Sequence, residues 1–337
     1  MGKSAASDYY RQNYAGSIAA LHGRYNAPMR ELNLLHHIYR TAGSATANHV
    51  SIPPGDDMGA LRIGKQDVLV TVDQLADQVH FDLGSTPLEK IARKAITRNL
   101  SDVAAMAAVP VGMVAAASLP NDFGEARAEQ LFDAMHKIAA DFHCPLFGGD
   151  ISMWDQRLLI TITVLAEPQA IEPILRKGAQ VGDCVCVTGK LGGSLLTIND
   201  YTHHLDFTPR LAQARELATQ YAPHCMIDLS DGLAKDVAHL CRAADLGVSI
   251  DAARLPISDA AVAMSKQTGK PAWAHAIGDG EDYELCFTCS KDDVPVKLFD
   301  TPVQVVGKIT AEPARNIRLS DGSLQSLDKF GWEHTGK

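Results

Sequence analysis

No run of apolar residues in this chain approaches the roughly 18–20 that cross a bilayer. The opening stretch MGKSAASDYYRQNYAGS lacks the apolar segment of a secretory signal. The chain begins Met1-Gly2, but Ala6 stands where a myristoylation signal needs Ser or Thr. These absences point to the cytoplasm and away from a membrane. Positive charge is also short: 31 Lys and Arg against 40 Asp and Glu leave a net charge of −9. A nucleic acid or an anionic lipid surface is repelled by such a chain, so neither is an expected partner. Small phosphates stay open, provided metal ions cancel the local charge.

Several signature loops are missing too. Gly189-Lys190 has the look of a P-loop, but Cys184 stands where the leading Gly is required and Leu191 where Ser or Thr is. No G-x-G-x-x-G follows a strand, which leaves a Rossmann dinucleotide site unsupported. No G-x-S-x-G nucleophile elbow and no D-x-[DN]-x-[DN]-G calcium loop occurs. Of the cysteines, Cys144, Cys184, Cys186, Cys225, Cys241, Cys286 and Cys289, one pair forms a C-x-x-C and no second pair sits at zinc-finger spacing. Reduced core thiols are expected. A redox role for Cys286 and Cys289 is disfavoured, because their flanks read as strand rather than as the helix N-terminus that lowers a thiol pKa. His36-His37 and His203-His204 read as exposed pairs without metal-ligand partners.

What is present is a globular composition, 46% apolar and 21% charged over 337 residues, long enough for two domains. Residues 1–28 are polar and aperiodic and read as a flexible extension, and a helix is predicted over 29–39. A strand over 67–73 ends in a carboxylate, and Pro87 opens a long helix. Strand 111–119, helix 125–142, a short strand 145–150 breaking into a Gly-Gly turn, and strand 158–165 follow. The stretch 167–182 holds two prolines and no period, so domains are placed at 29–167 and 168–337. The second half repeats the alternation: strand 184–188, a Gly-rich turn and a helix, helix 211–221, strand 226–232 running into a turn, helix 233–244, then strands at 248–250, 283–288 and 303–306. The class is α/β or α+β.

The informative feature is where aspartates sit. Asp56 and Asp57, Asp73, Asp150, Asp228 and Asp231, and Asp279 and Asp282 stand at five strand-to-turn junctions. Singly, each is an ordinary turn residue. Asp102 is not: it lies in a helix beside Leu100, Val103, Ala104 and Met106, where a carboxylate needs a partner. Carboxylates converging from several loops suit magnesium, which takes oxygen ligands and bridges nucleotide phosphates. Gly148-Gly149 would let backbone N–H groups approach a phosphate.

In order, GDD (55–57), TVDQLADQVHF (71–81), NLSDVAAM (99–106), FGGD (147–150), RKGAQVGDCVCVTGKLGG (176–193), MIDLSDGLAKDVAHL (226–240), GEDYELCFT (280–288) and GWEH (331–334) resemble the thiamine-monophosphate kinase family. That family belongs with aminoimidazole ribonucleotide synthetase and selenophosphate synthetase. The resemblance implies a two-domain aminoimidazole-ribonucleotide-synthetase-like fold, with an ATP-binding N-terminal domain that pairs in a homodimer. It implies transfer of the γ-phosphoryl group of ATP to thiamine monophosphate. By motif, Asp57, Thr71, Asp73, Asp102, Asp150, Asp228 and Asp231 look like magnesium ligands, with the Val72 carbonyl as a further oxygen. Gly149, Asp150, Arg176 and Ser230 look like nucleotide contacts, and His80, Glu281 and Trp332 like acceptor contacts. Asp150 and Asp231 are the residues it puts at the transfer step. The chain departs from the family at Val72, where a hydroxyl residue is usual, at Ile151-Ser152-Met153 in place of Thr-Thr-Arg, and at Asp279 in place of Gly. The alternatives are a divergent nucleotide-binding paralogue without turnover and another ATP-dependent reaction of the same superfamily.

Overall fold

The first half builds one sheet from β1 (Val50–Ile52), β2 (Gly59–Ile63), β3 (Gln66–Ala76), β4 (Val109–Pro120), β5 (Leu146–Trp154) and β6 (Leu159–Glu167). Helix α1 (Leu88–Ala105) joins β3 to β4, and α2 (Glu125–Asp141) joins β4 to β5. Strands run in the order β1-β2-β3-β6-β4-β5, with β4 and β5 parallel and the other neighbours antiparallel. The coordinates are a computed structural model that describes residues 49–198 and 201–332, with 34, 35, 37, 38 and 41 before them. The predicted extension 1–28 and most of the helix over 29–39 lie outside the described residues. The described residues from 49 to 332 belong to one compact unit.

Alternation explains the sheet. In β6, Ile160, Ile162, Val164 and Ala166 point to one buried face, and β-branched side chains suit that pleat. Each large side chain so buried contributes about 1.5–3 kcal/mol. Against this face α1 lays Ile91, Ala95, Ile96, Leu100 and Val103 at helical spacing. Two expectations are corrected. Strand β3 does not end at Asp73, because Gln74, Leu75 and Ala76 continue to pair with β6. Strand β5 runs straight through Gly148-Gly149 instead of turning there. The glycine is needed for close approach: a Cβ at Gly149 would lie 1.9 Å from the Ala115 carbonyl oxygen of β4.

The second half begins with β7 (Cys184–Thr188), a small hairpin β8 (Thr197–Ile198) and β9 (Tyr201–Thr202), then α3 (His203–Asp206) and α4 (Leu211–Gln220). It continues with β10 (Cys225–Asp228), α5 (Leu233–Ala244), β11 (Gly247–Asp251), α6 (Asp259–Thr268), α7 (Ala272–Gly278) and β12 (Leu285–Cys289). The last strands are β13 (Lys297–Leu298), β14 (Thr301–Thr310), β15 (Arg315–Arg318) and β16 (Leu324–Ser326). The sheet order is β10-β12-β7-β14-β11-β15-β16, with β13 beside β14. The helix predicted after the Gly-rich turn does not form. Gly192 and Gly193 take φ of 83° and 74° and press against the backbones of α7 and α6, so the chain leaves as a hairpin.

Each sheet has its own core, and a third cluster joins them. Ala104 and Ala107 at the end of α1 pack with Ile174, Cys186, Met226 and Phe287 of the second half. This contact brings the last turn of α1 against the end of β10. The thiols are free: six are buried and Cys184 is half-buried. Cys286 and Cys289 sit three apart on one strand and so face opposite ways, into different clusters, and cannot bond to each other.

Candidate active site

Where α1 meets β10, three carboxylates converge. Asp57 comes from the β1–β2 connection, Asp102 from α1 and Asp228 from the end of β10. An oxygen of each lies within 4.8 Å of the others. Neighbours hold them in place. The Thr71 hydroxyl of β3 donates to Asp102 at 2.5 Å, and the Ser101 hydroxyl donates to Asp228 at 2.6 Å. The Arg176 guanidinium grips Asp57 at 2.6 and 3.2 Å, while its backbone N–H donates to Asp56 at 3.0 Å.

The charge balance is poor. Desolvation, then the charge of Asp57, pushes Asp228 up to about 7. Desolvation and the charges of Asp73, Asp228 and Asp57 push Asp102 well above the usual carboxylate range. Asp56 rises to about 6, by desolvation and then by Asp57. One guanidinium does not neutralise this group, so its carboxylates resist ionising together. A divalent cation removes that resistance. The donor set is all oxygen, partly buried and rigidly held, which fits magnesium.

The remaining expected residues divide. Asp73 shares the β3 face with Thr71, adds charge to the group and pairs with Arg98 at 2.9 Å. Val72 points to the opposite face, 58% exposed. Asp231 pairs with Lys235 at 2.7 Å, and the Ser230 carbonyl accepts from the Glu281 N–H at 2.7 Å. Trp332 is tied to the same loop: its N–H donates to the Asp231 carbonyl at 3.0 Å, and its own carbonyl accepts from Lys235 at 2.6 Å. Gly149 and Asp150 are not brought in. Asp150 lies across from Gln74 by way of Ala116 and Thr161, three strands away, about 14 Å at ~4.8 Å per strand.

His80 and Glu281 meet at a second cluster that sequence reasoning missed. Glu281 lies 2.8 Å from the Lys94 ammonium and 3.1 Å from His204. Burial works to raise its pKa; His204 and Lys94 overcome that and hold it at about 2. Lys94 also donates to the His80 carbonyl at 2.9 Å. His204 is therefore buried and engaged rather than exposed, and His203 bonds the Asp282 carbonyl at 2.7 Å. A signal for Lys94 existed: it shares the apolar face of α1 with Ile91 and Ala95, the same kind of placement that singles out Asp102.

The three departures fall outside the carboxylate group. Val72 and Met153 are exposed, and Asp279 accepts from the Gly193 N–H at 3.0 Å and meets His275 at 2.9 Å. Asp279 thus ties the Gly-rich turn to α7.

Comparison with known proteins places this arrangement. Residues 55–167 match the family model of the AIR synthase related protein, N-terminal domain. Over 265 residues the chain is 33% identical to the thiamine-monophosphate kinase of Rhodopirellula baltica, covering 78% of this chain and 82% of that one. This chain belongs to the thiamine-monophosphate kinase family. A second member, from Escherichia coli K12, is 33% identical over 307 residues, 85% of this chain and 92% of that one. The solved structure of AaThiL complexed with AMPPCP and TMP superposes with a TM-score of 0.77 at 26% identity, covering 90% of this chain and 97% of that chain. Hydrogenase maturation protein HypE shares the fold, with a TM-score of 0.66 at 14% identity. Among the described residues no helix is long and apolar enough to cross a membrane.

Proposed function

We propose that this thiamine-monophosphate kinase family member transfers the γ-phosphoryl group of ATP directly to the phosphate of thiamine monophosphate, giving thiamine diphosphate. The observation that carries the reading is the convergence of Asp57, Asp102 and Asp228 within 4.8 Å, a group short of positive charge. Magnesium held there supplies charge neutralisation for the phosphate oxygens. The protein's own task is placement. The acceptor is already an anionic phosphate, so no strong general base is needed, and two anions must be held in line. Arg176 and Ser230 face the nucleotide in this reading, and Asp231, held by Lys235, stands at the transfer step. Glu281, kept ionised, suits a cationic thiazolium, and Trp332 offers an aromatic face to the acceptor's rings.

The proposal extends to a homodimer through the first half. Phe147, Ile151 and Met153 of the edge strand β5 are 62%, 58% and 66% exposed, an apolar stretch that a second copy would cover. Gly149 and Asp150 lie on the same edge strand and would enter a nucleotide site completed by pairing. Residues 29–167 act here as the nucleotide and dimerisation domain and 168–337 as its companion. The free thiols suit a cytoplasmic setting.

The test mixes purified protein with ATP, magnesium and thiamine monophosphate and separates thiamine diphosphate by chromatography. Product formation by the wild type, with turnover lost or the magnesium requirement raised in Asp102→Asn, supports the reading. Intact nucleotide binding without product at high enzyme concentration replaces it with a binding paralogue.

A further inference from the structure

Lys94 has no exposed surface, yet its ammonium meets three polar groups on three separate segments. These are the Glu281 carboxylate at 2.8 Å, the His80 carbonyl at 2.9 Å and His204 Nδ1 at 2.6 Å. An ammonium has three donors, and these contacts use all of them. His204 Nδ1 also lies 3.1 Å from the Glu281 carboxylate, so the ring touches both members of the ion pair. A lysine is seldom fully buried unless matched in this way, and an apolar side chain of similar volume would pack on α1 without desolvating a charge. The cation therefore does something that packing does not ask for. What it joins is specific: His80 follows β3, His204 is on α3 and Glu281 precedes β12. Glu281 also takes a left-handed φ of 55°, pinned by its N–H on the Ser230 carbonyl at 2.7 Å. Two of the three joined residues are the ones read above as acceptor contacts.

We propose that Lys94, backed by His204, is the positioning residue of the acceptor site: it sets the separation of His80 and Glu281 and so the seat for the acceptor's cationic ring system. The inference rests on the acceptor reading of those two residues. It assigns Lys94 and His204 no part in holding phosphate or metal. Lys94 lies eight positions before Asp102 on α1, about 12 Å along the axis, so the carboxylate group stays as it is when Lys94 changes. Loss of the clamp thus weakens one ligand and spares the other.

The experiment uses the full-length protein as Lys94→Met and His204→Gln, with titration calorimetry for thiamine monophosphate and, separately, for AMPPCP with magnesium. Thiamine monophosphate affinity is expected to fall about 10–100-fold in both variants, the loss of a charge-assisted hydrogen bond, with AMPPCP affinity within about twofold of wild type. In turnover, KM for thiamine monophosphate rises more than kcat falls. A merely structural role moves both ligands or neither. Circular dichroism checks folding, and if Lys94→Met does not fold, His204→Gln decides. Unchanged thiamine monophosphate affinity in His204→Gln, or equal loss of AMPPCP, overturns the inference alone. Wild-type protein that binds AMPPCP but not thiamine monophosphate overturns the acceptor reading and this inference with it.

Discussion

Replacing Asp228 with Asn removes one charge from the most crowded part of the molecule. Its carboxyl is buried at the end of β10 and pushed up to about 7 from 3.8. The sign follows from linkage. A carboxyl whose folded pKa is raised costs stability as pH climbs above the unfolded value, and the cost is complete above the folded one. From those two values the penalty is roughly 2 kcal/mol at pH 5 and roughly 4 kcal/mol at pH 8. Coulomb repulsion agrees in scale: two charges 4.8 Å apart repel by about 3.5 kcal/mol at an effective dielectric constant of ~20. Asn keeps an acceptor for the Ser101 hydroxyl and offers an amide to the remaining carboxylates. In EDTA the variant is therefore expected to be about 2–4 kcal/mol more stable than wild type at pH 8, and under about 2 kcal/mol more stable at pH 5. In millimolar magnesium the order reverses, because wild type gains binding energy that the variant lacks. Urea unfolding followed by circular dichroism, with and without magnesium at both pH values, measures all four quantities. A variant no more stable in EDTA at pH 8, or one that gains as much from magnesium as wild type, refutes the charge-crowding argument.

Arg210→Ala leaves the Glu284 carboxylate buried without its cation, at a cost of about 3–5 kcal/mol read from urea midpoints; a loss below 1 kcal/mol would mean that Thr188 alone satisfies it. Gly149→Ala drives a methyl into the Ala115 carbonyl and is expected to cost about 1–3 kcal/mol and to loosen β5, read as faster amide exchange in β4 and β5. Phe147→Glu with Ile151→Glu puts like charges on the exposed stretch of β5. Sedimentation should shift from dimer to monomer while the circular dichroism spectrum is kept, and a wild-type protein that sediments as a monomer removes the dimer proposal.

Much of the local structure was written in period and punctuation. Pro87 marks the start of α1, the β-branched run over 158–165 predicts β6, and helix 233–244 falls where expected. Glycine misled twice in opposite directions, because it serves turns and close contacts alike. Gly148-Gly149 lies within a strand, where the neighbouring Ala115 demands a bare Cα, while Gly192-Gly193 turns the chain away from a predicted helix. Asp228, Asp102 and Asp57 were legible as candidates from their apolar surroundings and their motifs, and the family from the order of those motifs. Which of the aspartates converge was not legible. Asp57, Asp102 and Asp228 meet because the end of α1 packs on β10 through the shared core around Met226 and Phe287, while β-sheet register carries Asp150 three strands away. Lys94 and His204 stand 110 positions apart and join only through that same packing. A sequence reports the periodicity of each segment, which local backbone geometry imposes. The charge group and the lysine clamp arise from side chains of distant segments forced into one low-dielectric space, and only the tertiary structure decides who shares it.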